Sequence, residues 1–169
     1  MFEGGLAAAT MEAIAARAGV SKQTIYNRWP SRGAVALEGF MVRADPLGQV
    51  PADATAAEAL HILARALVRL FASHPAGPLM RSLIADAQTS PEIAEALRSQ
   101  WLDPRRESVV DILRRGIERG ELRPDLDIPA ALDHAFAPVY YRLLLGHEPL
   151  DDDAAARSIE MLLHGISRE

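Results

Sequence analysis

Residues 10–32 read TMEAIAARAGVSKQTIYNRWPSR, and this stretch decides the fold of the N-terminal part of the chain. Thr10 precedes an apolar helical pattern and can cap it, while Gly19 ends that pattern where a left-handed backbone conformation is easiest. Ser21 caps a second short helix, which Pro30 stops because the residue before a proline avoids helical geometry. Two short helices joined by a tight turn predict a helix-turn-helix unit.

The apolar and polar residues of this stretch fall on different sides. We expect a small core of Ala13, Ile14, Ala18, Val20 and Ile25, with Val20 buried in the turn. The outward side of the second helix carries Lys22, Gln23, Thr24, Tyr26, Asn27 and Arg28. These groups can hydrogen-bond base edges and phosphates, and no carboxylate is among them. The pattern predicts that the second helix enters the major groove of duplex DNA.

Composition is that of a soluble helical protein. The 169 residues are 49% hydrophobic and 24% charged, and they include 30 alanines and no cysteine. The absence of cysteine excludes disulfides, zinc fingers and thiol nucleophiles, and no apolar run is long enough for a membrane span. We expect an all-α protein located in the cytoplasm, because no signal peptide is visible and alanine is the strongest helix former.

Charge is unevenly distributed, although the net charge is −5. Residues 17–43 carry a local balance of +4, whereas residues 46–169 carry −6. A basic N-terminal unit on an acidic body is compatible with a nucleic-acid partner for the first part alone.

The remaining chain predicts further helices. Residues 1–9 suggest a loop, Ser31 begins a third helix that fades near Asp45, and residues 46–54 form a linker. Helices are then expected from Thr55 or Ala56 to His74, over about 79–88, and from Ser90 to Trp101. A further helical stretch continues past Asp103 and ends at Gly120, and the last two helices run from Asp127 to Gly146 and from Asp151–Asp153 onward. Asp103-Pro104 should restart or kink a helix, and Pro138 should bend one.

The run AIAARAGVSKQTIYNRWPSRGAV resembles the DNA-binding segment of the tetracycline-repressor (TetR/AcrR) family. The shared features are a Thr that opens the first helix, Ala-x-x-Ala-Gly-Val-Ser at the turn and Thr-Ile-Tyr in the second helix. The resemblance implies a DNA-binding domain at residues 1–45 and a helical effector-binding and dimerisation domain at residues 46–169.

The resemblance also implies roles for individual residues. Phosphate-contacting positions correspond to Thr10, Thr24, Tyr26 and Arg32, and base-facing positions to Lys22, Gln23 and Asn27. Arg28 reaches a base or a phosphate, and Ser21 completes the DNA-binding set. Structural alternatives stay open: Thr10 is a cap in either case, Tyr26 can pack on the third helix, and Trp29 suits the core better than DNA.

The family's first helix is largely missing from this sequence, which starts at Met1-Phe2-Glu3. If the chain begins there, we expect weakened DNA binding, because that helix covers the back of the helix-turn-helix unit.

The resemblance implies that the two helices at the end of the chain form a homodimer and that a ligand pocket lies among the middle helices. The candidate dimerisation residues are Phe136, Leu144, Ile159, Leu162, Leu163 and Ile166. These apolar side chains are more than two packed helices need to cover each other within one chain, so some are expected to contact a second subunit. The alternative is that they form the ordinary core of a monomer. The ligand-binding candidates are Phe71, Met80, Trp101, His134 and Tyr140, and their apolar character favours a largely apolar effector. His134 is singled out because an imidazole on an apolar face needs a partner, and a bond to a nearby carbonyl is the alternative to a ligand.

The predicted function is a ligand-responsive DNA-binding regulator, in which a small molecule releases a repressor from a palindromic operator. We expect no enzyme activity, cofactor or metal, since the sequence has no zinc-protease motif, phosphate loop or nucleophile elbow. The alternative is a helical ligand- or partner-binding dimer that has lost DNA binding.

Overall fold

The computed structural model describes residues 10–44, 49–73 and 75–166, and Arg43 without its side chain. Every regular element in these ranges is helical, as expected. The helices are α1 (Met11–Ala18), α2 (Lys22–Arg28), α3 (Arg32–Ala44), α4 (Ala56–Ala72), α5 (Ala76–Ala87), α6 (Pro91–Leu97), a π-helical turn (Arg98–Leu102), α7 (Asp103–Glu118), α8 (Ile128–Leu145) and α9 (Asp152–Ile166).

The predicted caps of the helix-turn-helix are confirmed. The Thr10 hydroxyl accepts a hydrogen bond from the Ala13 N–H at 3.1 Å, and Ser21 does the same for Thr24 at 3.1 Å. Gly19 ends α1 in the left-handed region at φ 68°. Trp29, just before Pro30, leaves the helix with φ −130°.

The core of this unit differs from the expected one. Its buried residues are Met11, Ala15 and Ile25, against which Ile14, Trp29 and Val35 pack. Ala18 is exposed and Val20 is 40% exposed, so the prediction that both are buried is wrong. The reason is the phase of α1: the contact with α2 is centred on Met11 and Ala15, four residues apart on one face.

Packing divides the chain into two compact units, the first comprising Met1–Asp45 with His74–Leu102, the second Pro46–Ser73 with Asp103–Glu169. In the first, α3 packs against α5 and α6. The Phe40 and Trp101 rings meet edge to face at 4.7 Å. Gly33 lies so close to Ile93 that a Cβ there would be 2.4 Å from its Cδ1.

The start of α5 differs from expectation, whereas that of α7 agrees with it. Helix α5 begins at Ala76 rather than near 79, since Pro78 falls in its first turn, where a missing N–H is tolerated. Helix α7 begins at Asp103, as the Asp103-Pro104 signal predicts, and it directly follows a π-helical turn over Arg98–Leu102. Pro104 donates no hydrogen bond, which suits a disturbed backbone ladder just before it.

In the second unit, α4 packs against α7, α8 and α9. Thr55 and Glu58 form a capping box at the start of α4, and a Glu121 carboxylate oxygen accepts the Ala56 N–H at 2.6 Å. Gly116 permits close packing of α7 on α4, because a Cβ there would lie 2.7 Å from that of Ala56. Gly120 and Gly146 have positive φ after α7 and α8, as predicted, and α8 runs through Pro138.

The predicted division at residues 1–45 and 46–169 is one of function and stays a prediction, whereas packing groups α5 and α6 with α1–α3. The predictions for residues 1–9, for the start of the linker at 46–48 and for His74 lie outside the described residues. None of the described helices is long and apolar enough to cross a membrane.

Candidate nucleic-acid interface

Helix α2 has one buried side and one exposed side. Ile25 is 4% exposed and faces the small core. The six side chains expected to face DNA are all exposed: Lys22, Gln23, Thr24, Tyr26, Asn27 and Arg28. Tyr26 is 48% exposed, so about half of its surface is available to a partner.

The two amide side chains of α2 are joined to each other. Gln23 Nε2 donates to Asn27 Oδ1 at 2.7 Å, one turn along the same face. The bond limits the rotation of both amides and does not use Gln23 Oε1 or Asn27 Nδ2. Amides of this kind match the N6 and N7 groups of adenine.

Lys22, at the start of α2, pairs with Glu12 of α1, with Nζ and Oε1 3.4 Å apart. The pKa of Glu12 lies below its usual value, first because a backbone N–H at Glu12 donates to it and second because Lys22 does. Both side chains are largely exposed, so the pair contributes little stability and can open when a phosphate or base competes.

Hydroxyl groups occupy the helix starts. Ser21 caps α2, and its hydroxyl also lies 2.8 Å from that of Thr24. Thr10 caps α1 and is exposed. Helix N-termini attract anions, and these hydroxyls therefore stand where phosphate oxygens would be favoured.

Glu38 of α3 forms hydrogen bonds with residues at the C-terminal end of α2. Arg28 Nη2 donates to Glu38 Oε1 at 3.1 Å, and the indole Nε1 of Trp29 donates to Oε2 at 2.7 Å. The pKa of Glu38 lies below its usual value because of the bond from Trp29 first and that from Arg28 second. Trp29 thus packs on the core, as expected, but its polar edge has a separate role.

Arg32 begins α3 and lies 3.5 Å from Asp86 of α5, measured between Nη2 and Oδ2. Sequence reasoning missed Glu12, Glu38 and Asp86 as partners of the basic residues. No local signal could find them, because each pair joins two different helices.

The five ligand-binding candidates divide between the two units. In the second unit, the Phe71 and Tyr140 rings meet edge to face at 5.2 Å. Met80 and Trp101 are buried in the first unit. His134 does not lie on an apolar face: it is exposed, and its Nδ1 lies 2.8 Å from the Ala130 carbonyl one turn earlier in α8. The expected apolar environment of His134 is therefore not observed, whereas the alternative, a bond to a nearby carbonyl, is confirmed.

A different histidine in the second unit has a buried polar atom. His61 Nδ1, on α4, has no hydrogen-bond partner in the described part of the chain. Phe71 lies ten residues further along α4, which is about 15 Å along the helix axis from His61. A buried polar atom without a partner is costly and calls for an explanation.

The dimerisation candidates also divide. Ile159 and Ile166 are buried within the chain at 0% and 5% exposure, which favours the alternative that they belong to the monomer core. Phe136, Leu162 and Leu163 are half-buried and Leu144 is 45% exposed. The most exposed apolar residues of α8 and α9 are Tyr141, Leu145 and Met161, which sequence reasoning did not select.

No group of three or more His, Asp or Glu side chains that could hold a metal ion occurs within residues 10–44, 49–73 and 75–166.

Two family models match the chain. The model described as "Bacterial regulatory proteins, tetR family" matches residues 1–38, which include the helix-turn-helix. The model described as "Tetracyclin repressor-like, C-terminal domain" matches residues 50–162. Together they span both the candidate interface and the helices that follow it.

Known proteins are similar over most of the chain. The uncharacterized HTH-type transcriptional regulator YdeS of Bacillus subtilis is 34% identical over 152 residues, which are 90% of this chain and 76% of that protein. Another such regulator, Mb1581 of Mycobacterium bovis, is 28% identical over 94% of this chain and 78% of its own length. The crystal structure of the TetR family regulator SCO0332 is 36% identical, covers 98% of this chain and 91% of its own, and has a TM-score of 0.79.

Proposed function

Since the chain belongs to the TetR family of bacterial transcriptional regulators, we propose that it is a dimeric, cytoplasmic repressor that binds a palindromic operator and is released by a small molecule. The proposal that the protein binds DNA is supported above all by the exposed face of α2. Its amide, hydroxyl and basic groups point outward while Ile25 alone faces the core.

We propose that base reading and phosphate contact are separate on this surface. Gln23 and Asn27 read adenine through their joined amides, and Lys22 leaves Glu12 to reach a guanine. Phosphates are contacted by the hydroxyls and by the basic groups at the ends of α2 and α3, namely Thr10, Ser21, Thr24, Tyr26, Arg28 and Arg32.

The dimer is proposed to form through α8 and α9. Tyr141, Leu144, Leu145 and Met161 are between 45% and 78% exposed, which is unusual for large apolar side chains on one pair of packed helices. A two-fold dimer would place its two α2 helices about 34–36 Å apart, the spacing of successive major grooves.

The effector is proposed to bind in the second unit beside Phe71 and Tyr140, and to be long enough to form one hydrogen bond with His61, about 15 Å away along α4. The aromatic pair favours a largely apolar ligand, and the partnerless Nδ1 of His61 favours one polar group on it. A ligand that binds one arrangement of the dimer better than the other shifts the population between them.

The test begins with duplexes selected by the protein from a random pool. The protein should bind the selected duplex far more tightly than a random duplex, and its affinity should fall steeply as salt rises. Gln23→Ala should lose about 1–3 kcal/mol of preference for the selected duplex, with random-duplex binding nearly unchanged. Lack of any salt-dependent binding would support the alternative of a dimer without DNA-binding activity.

A panel of aromatic compounds added to the bound complex tests release. Compounds that release the wild-type protein should act weakly on His61→Phe, which keeps the apolar volume and removes the polar atom. Equal release from both proteins would exclude His61 from the site.

A further inference from the structure

Glu38 is an acidic residue in contact with the C-terminal end of the DNA-facing helix. It accepts hydrogen bonds from Arg28 at 3.1 Å and from the Trp29 indole at 2.7 Å, one to each carboxylate oxygen. A carboxylate beside DNA repels phosphates. The presence of Glu38 next to the DNA-facing helix therefore calls for a favourable effect on binding that outweighs this repulsion.

Arg28 is held from two sides. Its Cζ lies 4.8 Å from the centroid of the Trp29 ring, which itself packs on the core of Met11, Ala15 and Ile25. Its side chain nevertheless stays 67% exposed. A guanidinium has five N–H donors, so the bond to Glu38 leaves others for a phosphate oxygen.

We propose that Glu38 is a positioning residue, which holds the Arg28 guanidinium over the Trp29 ring in the orientation that contacts a DNA phosphate. The inference rests on the proposed DNA-binding function and deepens it. Glu38 acts through Arg28 and does not itself touch DNA.

Two opposing effects decide the sign of a substitution at Glu38. Removing the negative charge reduces repulsion of phosphates, an effect that salt screens strongly at an exposed site. Without Glu38, the Arg28 side chain can adopt more rotamers in the free protein. These rotamers are lost when Arg28 contacts a phosphate, and this entropy cost weakens DNA affinity by about three- to tenfold. We expect the second effect to exceed the first, since Arg28 has a long side chain and is otherwise exposed.

The experiment measures binding of the selected, fluorescently labelled duplex to the full chain by anisotropy. Glu38→Gln should bind about three- to tenfold more weakly than wild type, although it removes a negative charge. Glu38→Asp keeps the charge but cannot reach both partners, and it should weaken binding in the same direction. Glu118→Gln, which removes an exposed charge from α7, is the matched control and should bind like wild type.

A double-mutant cycle with Arg28→Ala separates positioning from a purely structural role. If Glu38 acts through Arg28, Glu38→Gln should have almost no effect on affinity in the Arg28→Ala background. Arg28→Ala should also reduce the slope of log affinity against log salt by about 1, and Glu38→Gln should leave that slope nearly unchanged. Thermal unfolding checks that each variant is folded at the assay temperature.

Tighter or unchanged binding by Glu38→Gln and Glu38→Asp would overturn the inference. So would a loss that persists in the Arg28→Ala background, because it would show that Glu38 acts through Trp29 and the core. Failure of the proposed function is distinct, since the wild-type protein would then show no salt-dependent DNA binding.

Discussion

Thr10 combines two roles in one hydroxyl group. The hydroxyl accepts a hydrogen bond from the Ala13 N–H at 3.1 Å, which gives a partner to one of the free N–H groups in the first turn of α1. Thr10 also remains exposed at the N-terminus of that helix. The capping role follows from the structure, whereas the phosphate contact is proposed. Because Asn and Asp cap helices as well as Thr does, the two roles can be separated by substitution.

Thr10→Asp should keep the cap and lose DNA affinity. A carboxylate at a helix N-terminus is favourable, so the free energy of unfolding should stay within about 1 kcal/mol of wild type. The same charge beside a phosphate should weaken duplex binding by about tenfold. Urea unfolding and duplex binding measure the two quantities.

Thr10→Asn is the control for this substitution, because it caps the helix without adding charge. It should match wild type in stability and bind DNA within about twofold. Equal DNA binding by the Asp and Asn variants would place residue 10 away from the phosphates.

At the scale of elements, α4 and α9 are tied by charge as well as by apolar packing. Arg69 Nε lies 3.1 Å from both carboxylate oxygens of Asp152, and its Nη2 also donates to Asp152. The pKa of Asp152 is held below its ordinary value of 3.8, first by hydrogen bonds from Arg69 and then by the charges of Arg69 and Arg65. The pair forms at the first turn of α9, where a negative charge also suits the helix dipole.

Asp152→Asn should lower stability at neutral pH and have little effect in acid. A carboxylate whose pKa is lowered on folding stabilises the fold above its unfolded pKa, and that contribution is lost as pH falls through the folded value. The difference in urea midpoint between wild type and variant should therefore be largest at pH 7 and shrink below about pH 4.

Asp153→Asn is the matched control in the same first turn. Asp153 is exposed and the hydrogen bonds of Arg69 go to Asp152, so replacement of Asp153 should change the midpoint much less. A midpoint difference for Asp152→Asn that does not vary with pH would contradict a stabilising ion pair.

At the scale of the whole molecule, exposed apolar side chains indicate where a second copy would bind. Met161 of α9 is 78% exposed, and Tyr141 and Leu145 of α8 are 58% and 61% exposed. Ile159 and Ile166 on the same α9 face inward instead. The proposed interface is therefore carried by the opposite side of α9 from the one that forms the core.

Met161→Glu should separate the proposed dimer. A carboxylate buried in an apolar interface without a partner should raise the dimer dissociation constant by at least about a hundredfold. Sedimentation at micromolar concentration should then show a monomer, while the wild-type protein sediments as a dimer.

Val42→Glu provides the comparison, since Val42 of α3 is 75% exposed and equally apolar. It should remain dimeric if the interface is formed by α8 and α9. A monomeric wild-type protein, or a Met161→Glu variant that stays dimeric, would contradict the proposed interface.

The sequence by itself determined the helix-turn-helix, its caps and the side chains on its exposed face. Thr10, Gly19, Ser21 and Pro30 act within one helical turn, so their effects depend only on neighbouring residues. The fold class followed for the same reason, because helix propensity and helix termination are local properties.

Only the tertiary structure decided which charges meet and which apolar residues are covered. Glu38 forms an ion pair with Arg28, and Asp86 forms one with Arg32, because separate helices pack together. Ile159 is buried and Met161 is exposed because α9 turns one side towards α4 and α8. Both sides of α9 are apolar, so hydrophobic periodicity alone cannot distinguish a core face from a subunit interface.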